Sequence, residues 1–163
     1  MRTRFIALCI SFILLLGSVG KSIADSLSDA VDAYNAGEYQ TAERIFMQFA
    51  KQGFADAQFN LALMYDNGKG VPQDYQTVLK WWTSAAEQGF AEAQYSLGLM
   101  YDNGHGVPQD DVYAHMWHNI SAYNGDIKAS ENRDLIAKRM TPSQIEKAQT
   151  LAHACVSKEY KDC

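Results

Sequence analysis

One stretch, Phe54 to Gly125, constrains this chain more than any other, because it is a single 36-residue unit written twice without a gap. FADAQFNLALMYDNGKGVPQDYQTVLKWWTSAAEQG is followed at once by FAEAQYSLGLMYDNGHGVPQDDVYAHMWHNISAYNG. A unit of this length cannot bury its apolar face alone and does so by stacking on its neighbours, so the chain is expected to be a solenoid.

Within each unit the punctuation marks two helices. Phe54, Ala57, Leu61, Met64 and Tyr65 recur at helical spacing, which predicts a first helix over Ala55 to Asp66 with one buried stripe. Asn67 and Gly68 stop it, since both residue types tolerate the left-handed conformation that closes a helix, and Pro72 bars continuation through Val71. Asp74 is placed to accept the first free N–H groups of a second helix running through Val78, Trp81, Trp82, Ala85 and Ala86 to Gly89. The second copy repeats this order.

Alanine with glutamine (Gln58, Gln94), Leu-Ala or Leu-Gly, Tyr65 and Tyr101, the loops Gly68-Lys69-Gly70-Val71 and Gly104-His105-Gly106-Val107, Trp81 and Trp117, and a closing glycine together resemble the Sel-one-like repeats, relatives of the tetratricopeptide repeats. The resemblance implies an all-α, right-handed α-solenoid of stacked antiparallel helix pairs, of the secreted bacterial type. It also implies a non-catalytic protein–protein interaction or adaptor module with no cofactor. Departures from the pattern fall in the third unit, at Tyr113, His115, His118 and Ser121.

Residues 1–24 read as a signal peptide: Arg2 and Arg4, then an uncharged apolar run from Phe5 to Leu16, then Ser22-Ile23-Ala24 as a small-x-small cleavage site. The apolar run is shorter than the roughly 17–25 residues of a membrane span. Cleavage and release into the periplasm or beyond is the expected fate, with the mature chain starting at Asp25. Residues 25–53 form a diverged first unit, with AGEYQTAERIF resembling the tetratricopeptide turn; residues 54–89 and 90–125 are the repeats; residues 126–163 form a capping helix pair. In that cap a helix is expected over Asp126 to Arg139, and Thr141-Pro142-Ser143-Gln144 opens the last one as N-cap, first-position proline and capping-box glutamine.

Loss of the leader removes three bases and no acid, so the mature chain has 11 basic against 19 acidic residues and a net charge of −8. From Asp25 to Gly125 the only bases are Arg44, Lys51, Lys69 and Lys80, against 13 acids. Such a surface repels phosphate backbones and anionic lipid, which argues against nucleic acid and stable membrane association and suits a basic protein or peptide.

The chain offers little for catalysis. Asp66-Asn67-Gly68 and its copy lack the alternating oxygen ligands and later glutamate of a calcium loop. His115 and His118 share a helix face at a usable ligand spacing but have no third ligand nearby, and are read as polar helix surface, with no metal site. Tyr65, Trp81, Tyr101 and Trp117 are read as core. Nucleophile elbow, phosphate loop and His-Glu-x-x-His are all missing. Some cysteine-rich Sel-one-like proteins are linked to β-lactam binding and hydrolysis, but they carry a cysteine pair in each repeat and the units from Asp25 to Gly125 carry none. A scaffold role in assembling the cell envelope is the alternative of a different class.

Two further expectations concern sites. Cys9 leaves with the leader, and the remaining pair, Cys155 and Cys163, resembles the pair with which cysteine-rich relatives tie down a helix end, which implies an intramolecular disulfide. Comparison of the two copies supplies the binding candidates. Of 21 positions from Phe54 to Asp74, 16 recur identically, and the exceptions are Asp56/Glu92, Phe59/Tyr95, Asn60/Ser96, Ala62/Gly98 and Lys69/His105. Ala62 and Gly98 are read as allowing close helix approach, and Lys69 and His105 lie in the turn. By resemblance to tetratricopeptide arrays, first helices line the concave groove. Asp56, Phe59, Asn60, Glu92, Tyr95 and Ser96 are therefore the expected binding residues, with ordinary packing the competing reading for Phe59 and Tyr95.

Overall fold

The computed structural model describes residues 22–163; apart from Ser22, Ile23 and Ala24, the segment read as a signal peptide lies outside the described residues. Eight helices and no strand occur among the described residues: α1 (Ile23–Asn35), α2 (Tyr39–Lys51), α3 (Ala55–Asn67), α4 (Tyr75–Ala86), α5 (Ala91–Asn103), α6 (Asp111–Tyr123), α7 (Ile127–Ala137) and α8 (Pro142–Ser157). Each helix from α1 to α6 packs on the next, giving a solenoid of antiparallel pairs, and its core is built of small and large residues from adjoining units.

The helix ends follow the local chemistry. Gly68 and Gly104 close α3 and α5 in the left-handed conformation, at φ 61° and 71°, with their N–H groups on the carbonyls of Met64 and Met100. Asp74 accepts the N–H of Gln76 at the start of α4, and Asp110 accepts those of Val112 and Tyr113 at the start of α6. Thr141 and Gln144 form the reciprocal capping box of α8, with Pro142 at its first position.

The repeated residues that are not apolar turn out to be the joints between units. Gln58 is buried and donates to the carbonyl of Ala50 at the end of α2, and Gln94, 36 residues on, donates to Ala86 at the end of α4. Gln88 and Asn124 then donate to the free oxygens of those two glutamines, at 2.8 Å each. The long loops serve the opposite end of each unit. A Cβ at Gly70 would lie 2.4 Å from Tyr39 Cβ, and one at Gly106 would lie 2.7 Å from Tyr75 Cβ, so the loop backbone rests directly on the first turn of the preceding second helix.

The cap differs from the repeats. Both α7 and α8 pack on α6. Arg139, at the position matching Asn67 and Asn103 just before the glycine loops, pairs with Asp102 and Asp111. With α5, α7 and α8 all against it, α6 is covered on several sides. His115 and His118 are accordingly 3% and 0% exposed, which corrects their reading as polar helix surface: the periodicity of α6 shows one apolar stripe, but the cap covers the remainder. Trp117 is fully in the core, while Tyr65, Trp81 and Tyr101 are half-buried against it. On α7 the apolar residues divide: Ala129 and Ile136 are buried, as is Met140 just beyond the helix, whereas Ile127 and Leu135 face solvent.

Beyond α8 the chain folds back. Tyr160 donates to Asn124 Oδ1, extending the glutamine ladder, and Lys161 Nζ donates to the carbonyl of Glu87 at the end of α4. Cys155 and Cys163 lie with Cα atoms 5.2 Å apart, within the span of a disulfide. Alkylation of unreduced mature protein is expected to label no thiol. Replacing both cysteines by serine should remove about 2–3 kcal/mol of stability, measured by chemical denaturation, and free the tail from Glu87. Two labelled thiols in the unreduced protein would refute the pairing.

Candidate functional site

A helix advances about 100° per residue. On α3 this puts Asp56, Asn60, Leu63 and Asn67 along one strip, away from the buried Ala57, Leu61 and Met64; on α5 the matching strip is Glu92, Ser96, Leu99 and Asn103. The stacking of units leaves these strips on the surface side of the first helices. α1 joins them in a shifted register, because the turn between Asn35 and Tyr39 is shorter than the loop between Asn67 and Tyr75. Aligned on helix ends, Ser28, Val31 and Asn35 match Asn60, Leu63 and Asn67. A groove runs between α1 and α3, walled by Leu27, Val31, Phe54, Asp56 and Asn60 among others; Ile23 and Ala24, which also line it, belong to the segment read as leader.

The six expected residues divide by environment. Asp56 and Glu92 are exposed, and Asn60 is half-buried, its amide donating to the carbonyl of Asp56 while its oxygen remains open to a partner. Asp56 and Asn60 meet in the groove. Phe59 is half-buried with its ring 5.4 Å from that of Phe90 and 6.3 Å from that of Trp82, and so fills the joint between units. Tyr95 packs 5.3 Å from the His118 ring and takes a hydrogen bond from Asn132. Ser96 is 8% exposed and its hydroxyl serves the carbonyl of Glu92 in its own helix.

Sequence reasoning missed Leu63 and Leu99. They are only half-buried and join none of the apolar clusters among the described residues. The signal was present: each lies about 100° or more round the helix from the Leu-Met stripe, in both copies.

Electrostatically the first three of these helices are one-sided. α1, α3 and α5 carry two or three acids each and no lysine or arginine, whereas Arg44, Lys51 and Lys80 sit on second helices, Lys69 in a loop, and Lys128 and Arg133 on α7.

The remaining cluster with chemistry is sealed. Neither ring nitrogen of His118 has a hydrogen-bond partner, and a Cβ at Gly98 would lie 2.6 Å from its Cε1, so the glycine makes room for the imidazole. Burial holds the His118 pKa down to about 4 against the pull of Asp102 and Asp126, and lowers that of His115 with help from Arg133. Such neutral, enclosed rings are packing groups. Among the described residues no group of three or more His, Cys, Asp or Glu is placed to hold a metal ion.

Comparisons with known proteins agree on the fold. The family described as Sel1 repeat matches residues 55–90 and 91–126, one residue on from the units read in the sequence. The crystal structure of a Sel1 repeat protein from Oxalobacter formigenes is 30% identical and superposes with a TM-score of 0.62, over 70% of this chain and 89% of that one. The crystal structure of c5321, a protective antigen present in uropathogenic Escherichia coli strains and displaying an SLR fold, is 29% identical with a TM-score of 0.80. That match covers 85% of this chain, which spans about a third of the antigen's length, 32%. A comparison with curated proteins gives no match.

Proposed function

Because the chain belongs to the Sel1 repeat family, whose repeats are generally protein–protein interaction modules, we propose that it is an exported, non-catalytic adaptor that binds a basic protein or peptide on its first-helix face. The observation that carries this reading is the charge of these helices: α1, α3 and α5 carry seven acids and no lysine or arginine. Asp102 is neutralised by Arg139, and Asp56 and Glu92 stand exposed on the outward strip, Asp56 lining the α1–α3 groove. Asp56, Asn60 and Glu92 are the exposed and half-buried polar groups through which a partner would be held, with Phe59, Tyr95 and Ser96 shaping the wall behind them. Export rests on the leader pattern of residues 1–24, and no helix among the described residues is long and apolar enough to cross a membrane.

Crosslinking in the cell, followed by mass spectrometry of captured proteins, tests this reading. A defined partner at fixed stoichiometry supports an adaptor, whereas a large heterogeneous assembly supports the scaffold alternative. Asp56→Arg and Glu92→Arg together are expected to weaken capture of the partner by at least about tenfold while leaving helicity and melting unchanged, since both side chains are exposed. Undiminished capture by a folded double variant would move the binding surface elsewhere.

A further inference from the structure

Leu63, Leu99 and Leu135 stand 36 residues apart, at one register position of α3, α5 and α7, and Val31 holds the matching place on α1 when helix ends are aligned. Val31 is 40% and Leu135 56% exposed, Leu63 and Leu99 are half-buried, and the three leucines take no part in the apolar clusters. Apolar side chains that recur in every unit and join no apolar cluster among the described residues form a ridge, or a row of shallow contacts, that crosses all four first helices.

Polar groups border this row at fixed register. Ser28, Asn60, Ser96 and Asn132 lie one turn before it, and Asn35, Asn67 and Asn103 one turn after. The amides of Asn67 and Asn103 donate back to the carbonyls of Leu63 and Leu99, at 2.8 and 2.9 Å, which fixes them on the helix and leaves their oxygens as acceptors. Outward acceptors beside an apolar row match a chain that brings N–H donors together with apolar side chains.

We infer that this row is the specificity element of the adaptor face and takes an extended basic segment, its apolar side chains seated on Val31, Leu63, Leu99 and Leu135 and its lysines or arginines set against Asp56 and Glu92, the exposed acids of the same strip. The inference rests on the interaction reading above and adds the chemistry of the occupant. Charge complementarity supplies the basic residues over α1, α3 and α5, since these three helices carry no cation of their own, whereas α7 carries Lys128 and Arg133 and offers the apolar contact of Leu135. The leucine row supplies the need for apolar ones. An extended occupant follows from the repeat of one contact in each unit: the row runs across successive helices, so a ligand must travel along the stack to meet more than one leucine.

The test uses purified mature protein and three short fluorescein-labelled peptides followed by anisotropy: one of lysine, leucine and proline, one with serine for leucine, and one with glutamate for lysine. The first is expected to bind, and each of the others to bind at least about tenfold more weakly, since removing one leucine contact or reversing the charge costs about that factor. Leu99→Ser and Leu135→Ser should each weaken the first peptide by about tenfold. The Leu135 variant alters a mostly exposed side chain, so its melting temperature should not move. Equal binding of all three peptides, binding of none, or wild-type affinity in both variants would overturn the inference. Cellular capture separates its failure from that of the adaptor reading: a partner captured equally by wild type and by both leucine variants keeps the adaptor and removes the row.

Discussion

Gly70→Ala is expected to destabilise the solenoid by about 3 kcal/mol, roughly 10 °C in melting temperature, because two penalties combine at one atom. Gly70 sits at φ 75°, a conformation in which a side chain crowds its own carbonyl, and its new Cβ would stand 2.4 Å from Tyr39 Cβ. That neighbour is the root of a side chain on the first turn of α2 and cannot swing aside, so the loop must lift from the preceding unit. Gly37→Ala is the control. It has φ 80° with no atom within 4 Å of the added Cβ, so it should show the conformational cost alone, about 1 kcal/mol. Chemical denaturation of the two variants decides the matter. If they lose the same stability, the loop does not bear on Tyr39 as described.

Acid should loosen the C-terminal half through His118. In the fold its pKa is held to about 4, mainly by burial, whereas the unfolded chain titrates near the ordinary 6.5. Between these values the unfolded state binds the extra proton. Stability is therefore fully retained above pH 6.5 and falls as pH drops through the window toward 4, by about 3 kcal/mol in all. His115 shifts in the same direction and adds to the loss, while the carboxylates of Asp102 and Asp126 near His118 moderate it. Replacing His118 by glutamine, uncharged and of similar size, should flatten the dependence between pH 6.5 and 4.5 whatever it does to stability at pH 7. Denaturation midpoints across that range would refute the assignment if wild type and the His118→Gln variant lost stability in parallel.

The candidate face was legible in part. Differences between the two copies singled out Asp56, Asn60 and Glu92, which the fold leaves at or near the surface, because residues free of packing are free to vary. The same criterion brought in Phe59, Tyr95 and Ser96, whose changes answer local packing: Phe59 meets Phe90 and Trp82, whereas Tyr95 meets His118 and Asn132. It passed over Leu63 and Leu99, since an identical residue in both copies was taken as a packing residue, although a contact made once per unit repeats just as faithfully.

Helix number, helix ends and the stacking of units were determined by the sequence itself. They depend on terms between near neighbours: apolar spacing along α3 and α5, left-handed glycines at Gly68 and Gly104, and side-chain caps at Asp74, Asp110 and Thr141. Burial was decided elsewhere. A helix records in its own periodicity that one stripe is covered, but how many neighbours cover it depends on where distant segments return. α6 reads as amphipathic and lies enclosed because both α7 and α8 fold onto it, which takes His115 and His118 out of water. α7 carries apolar Ile127 and Leu135, yet the fold leaves both in solvent, Leu135 at the outward register it shares with Leu63 and Leu99.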